Sequence, residues 1–206
     1  MKTILLFRHG KSDWDADYGH DHERPLADRG RKGARKMGRF LATAGTPPDH
    51  AITSTATRTR QTLAIAAEHG GWTGRATVTD ALYGASPDDM LRAIHEAPSE
   101  AGTIVLVGHE PTISRTTSRL IGGGTIEIKT ATMVRIDVDV TRWSDVAFGR
   151  GVLVWMLSPG FLKPNRYRKL QEAVQDAKAA AEKAAEIATP DPEEPSAEAD
   201  SPASGV

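Results

Sequence analysis

Residues 4–10, Ile4-Leu-Leu-Phe7-Arg8-His9-Gly10, decide the fold. Side chains alternate between the two faces of a strand, so four apolar residues in a row need cover on both faces. That is the pattern of a buried strand in a parallel sheet. A second run of this kind, Thr103-Ile-Val-Leu-Val107, is the clearest strand in the chain. Between them the pattern alternates. Gly30–Ala44 carries Ala34, Met37 and Leu41 at helical spacing, with Asp28 as its expected N-cap. Ala51–Thr53 reads as a strand, and Ala56–His69 as a helix stopped by Gly70 and Gly71. Ala76–Thr79 reads as a third strand and Pro87–His95 as a third helix. After Gly108, Pro111 suits the start of a helix running to about Leu120. Met133–Val138 and Val152–Leu157 are late strands placed to pair as neighbours. Strand and helix in alternation predict an α/β fold, a three-layer α/β/α sandwich around a mainly parallel central sheet.

Composition narrows the function. The 206 residues suit one domain, expected over 1–163, followed by a surface helix over 164–188 and a disordered acidic, Pro-rich tail over 189–206. The net charge of -1 hides an asymmetry, since five acids (Asp191, Glu193, Glu194, Glu198, Asp200) and no Lys or Arg lie in that tail. The body is therefore positive by about +4, which fits an anionic ligand but falls short of a nucleic-acid-binding signature. No cysteine is present, which excludes disulfides, thiolate metal sites and a cysteine nucleophile. The apolar run Ile4–Phe7 is too short for a signal sequence or a membrane span, so a cytoplasmic, soluble protein is expected, with a monomer favoured.

Arg8, His9 and Gly10 follow the first strand directly, and His109 follows the Thr103–Val107 strand in the same way. Ligands of open α/β sheets bind at the carboxyl ends of strands, so both histidines emerge where a site belongs. Arg58 falls in the first turn of the second helix, where free N–H groups and the positive end of the dipole attract phosphate.

With the wider stretches Ser54-Thr-Ala-Thr-Arg58-Thr-Arg-Gln61-Thr62 and Gly108-His109-Glu110-Pro111, this set resembles the histidine phosphatase superfamily. Finer motifs resemble its SixA-like, phosphohistidine-phosphatase branch: Arg8-His-Gly-Lys-Ser12, Asp21-His-Glu-Arg-Pro-Leu26 with Gly30, and Leu82-Tyr83-Gly84. The resemblance extends over roughly residues 2–160 and implies a phosphoglycerate mutase-like fold. It also implies that His9 is transiently phosphorylated and that water hydrolyses the intermediate. A neutral imidazole is a competent nucleophile near pH 7. Phosphoryl transfer needs cationic stabilisation of the equatorial oxygens, and Arg8 and Arg58 supply planar forks matched to them. His109 can donate a further hydrogen bond. Lys11 and Ser12 adjoin the nucleophile and either touch phosphate or hold the loop. No metal and no cofactor is expected, because the arginines already neutralise the charge.

Many relatives carry a carboxylate that protonates the leaving group. Asp80, at the end of the third strand, is the better-placed candidate; Glu110 either serves instead or caps the following helix. A phosphoramidate such as phosphohistidine has a good leaving group, so a strong acid then matters less. The expected partner is a phosphorylated protein or a small phosphorylated metabolite. The alternatives are a small-metabolite phosphatase, a mutase, for which the chain lacks room for a large cap, and an inactive phosphate-recognition module. His20, Asp21 and His22 resemble metal ligands but read as the loop covering the site. The cations of the first helix (Arg29, Arg31, Lys32, Arg35, Lys36, Arg39) read as a solvated face, with an acidic partner or nucleic acid as the alternative.

Overall fold

A computed structural model describes residues 1–162; the helix expected over 164–188 and the tail over 189–206 lie outside the described residues. The compact unit spans Met1–Lys163. Its elements are β1 (Lys2–Arg8), α1 (Asp28–Ala44), β2 (His50–Ser54), α2 (Thr57–Gly70), β3 (Arg75–Thr79), α3 (Pro87–His95), β4 (Thr103–Gly108), α4 (Thr112–Leu120), β5 (Met133–Val138) and β6 (Gly151–Leu157). The six strands form one sheet in the order β3-β2-β4-β1-β5-β6. β3, β2, β4 and β1 run parallel, while β5 pairs antiparallel with β1 and with β6, so the late strands are neighbours as expected.

This order explains the layers. From β1 the chain steps one way across the sheet, through α1 to β2 and through α2 to β3. It then reverses, through α3 to β4. Right-handed crossovers send helices to opposite faces when the stepping direction reverses. α1 and α2 accordingly pack on each other, as do α3 and α4. β1 serves both layers: Ile4 and Leu6 join the core with Met90, Ile94 and Ile113, whereas Leu5 and Phe7, of the other parity, are buried on the opposite face. β1 and β4, the inner pair, end side by side where the stepping direction changes. Crevices of this kind are where open α/β sheets hold ligands.

Local chemistry sets the boundaries. α3 is capped by Ser86, whose side chain accepts from the Asp89 N–H while the Asp89 carboxylate accepts from the Ser86 N–H, and Pro87 opens the helix. α1 begins one residue earlier than its expected cap allows. Ala27 occupies the cap position in extended conformation, and Asp28 is the first helical residue. The Ala27 N–H donates to the Lys11 carbonyl at 3.0 Å, so the start of α1 is fixed by the loop after β1. The contact is close: a Cβ on Gly30 would lie 2.2 Å from the Lys11 carbonyl oxygen, which only glycine permits.

Candidate active site

His9 is held by backbone bonds to β4 and to the turn before β5. Its N–H donates to the Gly108 carbonyl at 3.1 Å, and its carbonyl accepts from the Ala131 N–H at 3.0 Å. Only 9% of its surface is exposed. Its Nδ1 lies 2.6 Å from the Gly10 carbonyl oxygen. A carbonyl only accepts, so Nδ1 carries the proton and Nε2 keeps its lone pair. Burial pushes the His9 pKa down to about 4; the Gly10 bond opposes this, and the charges of Arg58, Arg8 and Arg24 reinforce it. His9 is therefore neutral at pH 7.

His109 stands beside it, with ring centroids 5.2 Å apart. Its Nε2 lies 3.0 Å from the Ser54 hydroxyl, and its Nδ1 is buried without a protein partner. Burial first, then His9 and Arg58, lower its pKa to about 3. The two catalytic-type histidines thus share one proton-poor, cation-rich environment.

A cavity of about 280 Å³ opens between them, lined by Arg8, His9, Lys11, Ser12, Trp14, Arg24, Arg58, His109, Glu110 and Thr130. All six phosphate-site residues expected around the nucleophile (Arg8, His9, Lys11, Ser12, Arg58, His109) meet there. Arg8 projects from the end of β1 and donates through Nη1 to the Ile128 carbonyl at 2.6 Å. Arg58 projects from the first turn of α2 and is 6% exposed. Its guanidinium donates to the Asp21 carbonyl at 2.6 Å and to the Asp21 carboxylate at 2.9 Å. Ser12 is buried and bridges to Leu26, closing the loop between them, whereas Lys11 is exposed at the cavity mouth. The Nε atoms of Arg8 and Arg58 and Oε1 of Glu110 are buried without partners. Of these, the two guanidinium N–H groups are donors without a protein partner, which suits an anionic ligand.

Arg24 was not legible as a site residue. It lines the cavity, is 6% exposed, and stacks 3.5 Å over the Trp14 ring. Asp21 joins it to Arg58, accepting from Arg24 Nη2 at 2.6 Å, and also accepts from the Tyr83 hydroxyl at 3.2 Å. Burial would raise the Asp21 pKa, but the Arg24 bond and the Arg58 charge outweigh it and hold the carboxylate low. The covering loop is therefore fastened by its own aspartate to two arginines of the pocket. The motif around Asp21 and Arg24 was visible, but the sequence carried no sign that a loop arginine would turn inward. Thr130 and the Ile128 carbonyl come from the connection before β5, which closes the cavity on the other side.

The two carboxyl candidates separate. Asp80 opens a short 3-10 turn, is exposed, and accepts from the Thr55 hydroxyl, which in turn contacts His22 Nε2 at 2.8 Å. It does not line the cavity; Glu110 does. Burial raises the Glu110 pKa, with the Ser114 hydrogen bond opposing it. Among the described residues no three His, Cys, Asp or Glu side chains gather as metal ligands, and no helix is long and apolar enough to cross a membrane.

Comparison with known proteins gives the family and the fold. The family model described as histidine phosphatase superfamily (branch 1) matches residues 4–84. An uncharacterized protein of Mycobacterium tuberculosis is 41% identical over 107 residues, covering 52% of this chain and 65% of the relative, just under two thirds of its length. An uncharacterized protein of Mycobacterium leprae is 37% identical over 121 residues, covering 57% of this chain and 73% of the relative. Among solved structures, a Nakamurella multipartitia protein, provisionally designated phosphohistidine phosphatase SixA, superimposes with a TM-score of 0.67 at 28% identity, covering 76% of this chain and 95% of its own.

Proposed function

The chain belongs to the histidine phosphatase superfamily and is SixA-like, and from that premise we propose that it hydrolyses phosphohistidine on a protein through a phosphorylated His9. The observation that carries this reading is the bond from His9 Nδ1 to the Gly10 carbonyl, which leaves Nε2 unprotonated inside a cavity lined by three arginines.

In the first step Nε2 of His9 attacks phosphorus and the bond from phosphorus to the leaving nitrogen breaks. Arg8, Arg24 and Arg58 offset the charge on the equatorial oxygens. The fully buried Ser54 hydroxyl accepts from the Ala56 N–H and has His109 Nε2 as the acceptor for its own proton, so Nδ1 of His109 carries a proton to donate to a phosphoryl oxygen. Glu110 is the better-placed proton donor of the two carboxyls, because it reaches the cavity and burial favours its protonated form. In the second step water attacks phosphorus, the bond to His9 breaks, and inorganic phosphate leaves with the water oxygen. The same cations support both steps, so the residues supply the electrostatic stabilisation the chemistry needs.

The test is turnover by the full chain on a phosphohistidine-bearing protein beside a panel of small phosphorylated metabolites and p-nitrophenyl phosphate. We expect kcat/KM on the protein to exceed that on p-nitrophenyl phosphate by at least about tenfold, with an acid-labile, base-stable phosphoenzyme trapped on acid quench. A metabolite turned over faster than the protein would make this a small-molecule phosphatase. No turnover of any phosphate would leave a phosphate-recognition module.

A further inference from the structure

A second concavity, about 450 Å³, runs from the mouth of the catalytic cavity along α1, and the two share Lys11 and Thr130. Its charged lining is wholly cationic: Lys11, Arg29, Lys32, Lys36 and Lys129. These come from three separate segments, namely the loop after β1, one face of α1, and the connection before β5. Positions 29, 32 and 36 are spaced i, i+3 and i+7, so α1 presents them as a single stripe. Gly33 lies within that stripe, and a Cβ there would sit 2.9 Å from the Ala131 Cβ. The helix therefore presses against the 129–131 and 158–160 segments, and the cations rim a groove instead of standing apart on a free surface.

Six arginines elsewhere, Arg24, Arg58, Arg92, Arg119, Arg135 and Arg142, are ion-paired to an aspartate. Among the described residues none of the five groove cations is ion-paired and no carboxylate lines the groove. Five like charges gathered by three segments around one groove raise the local positive potential and favour an anionic occupant.

We infer that this groove selects the substrate by binding an acidic segment of the phosphorylated protein next to its phosphohistidine. The inference rests on the phosphatase reading above and adds the chemistry of the flank. α1 starts against the nucleophile loop and leads away from it, and Arg29 to Lys36 spans about 10 Å along its axis. An extended peptide covers that length in about three residues, so the acidic side chains belong within roughly five residues of the phosphorylated one. Lysine suits the task, because a flexible ammonium follows carboxylates of varied spacing where a fixed guanidinium fork would not.

The experiment compares two synthetic peptides carrying phosphohistidine, one flanked by three aspartates and the other by three asparagines. It uses the full wild-type chain and the double variant Lys32→Glu/Lys36→Glu. Both positions are exposed and lie outside the catalytic machinery, so hydrolysis of free phosphohistidine serves as the common reference. Wild type should prefer the aspartate peptide by roughly tenfold in kcat/KM at low salt, and high salt should erase the preference. The variant should lose or invert it while hydrolysing free phosphohistidine at the wild-type rate. Equal kcat/KM for both peptides in wild type, or a preference that persists in the variant, overturns the proposal. Anisotropy of the labelled peptides reads the groove independently of turnover. Lys32- and Lys36-dependent binding without hydrolysis of any substrate would remove the phosphatase reading and keep the groove. A single-stranded oligonucleotide that binds where the aspartate peptide does not would overturn the choice of partner.

Discussion

Two cationic regions meet at Lys11, and they are built on opposite principles. In the cavity at His9 most of the cations are arginines: Arg24 and Arg58 are each 6% exposed, and each guanidinium is fixed by hydrogen bonds to Asp21. In the groove along α1 the charges are mostly lysines, exposed and unpaired among the described residues. Stabilising a transition state requires donors already in place, because reorganising them during the reaction would forfeit the gain. Holding an acidic flank requires only field strength, for which mobile ammonium groups suffice. On the proposed reading, fixed arginine charge serves the chemistry and exposed lysine charge serves selection.

The sharpest way to break this contrast is at the nucleophile. His9→Ala should lower turnover by at least about ten-thousandfold on every substrate, since removing a covalent nucleophile disables the whole mechanism. Circular dichroism should show the fold retained; residual activity above a small fraction of wild type would assign the nucleophile elsewhere. Arg58→Ala should cost about 100- to 1000-fold in kcat, and Arg58→Lys should restore little of it, because the fork held by Asp21 is lost. Lys36→Ala, by contrast, should change kcat on p-nitrophenyl phosphate less than about twofold, since rim charges act on encounter. Comparable losses in the two variants would erase the distinction between the regions.

Glu110→Gln sharpens the picture inside the cavity. Hydrolysis of alkyl phosphates should fall about a hundredfold, and phosphoramidates far less, because their leaving nitrogen needs little help. Asp80→Asn should give a small, uniform change, and a leaving-group dependence there would return the acid's role to Asp80.

A smaller effect follows from the buried imidazole. With a folded pKa of about 4 against an ordinary 6.5, His9 takes up a proton in the unfolded chain first as pH falls. Stability contributed by its neutral form is complete above 6.5 and is lost on descending towards 4. Between pH 7 and 5 the loss from His9 is about 2 kcal/mol, and His109 acts in the same direction. Urea unfolding at the two pH values should show this loss shrink in His9→Ala. The smallest effect expected is none at all: EDTA should leave the rate unchanged, since Arg8, Arg24 and Arg58 already offset the phosphoryl charge.

The sheet was readable because its inner strands are buried on both faces and so write continuous apolar runs. Thr103–Val107 is one such run, extended in the structure by Gly108. α3 was readable to both ends because Ser86 and Pro87 declare its start chemically. α1 was misjudged at its start, where Asp28 looked like a cap but the Lys11 carbonyl fixes Ala27 there instead. That contact joins distant segments, and no local pattern encodes it. The same reasoning divides the site. Arg8, His9 and His109 directly follow strands and Arg58 opens a helix, so topology places all four. Arg24, Trp14 and Thr130 arrive on loops, whose course depends on the partners they meet. The α1 cations were visible as a charged face, but the groove they rim depends on Lys11 and Lys129 reaching it from elsewhere.

The backbone bond from His9 to Gly108 has a consequence for how such an enzyme can change. His9 and His109 each directly follow Arg8 and Gly108, the last pair of the β1–β4 ladder, so drift in more distant loops leaves their spacing intact. The flank of α1 can then be rewritten by mutation while the reacting pair stays in register. New substrates become accessible by exchanging the periphery alone, and the sheet end acts as the fixed reference against which each new periphery is tried.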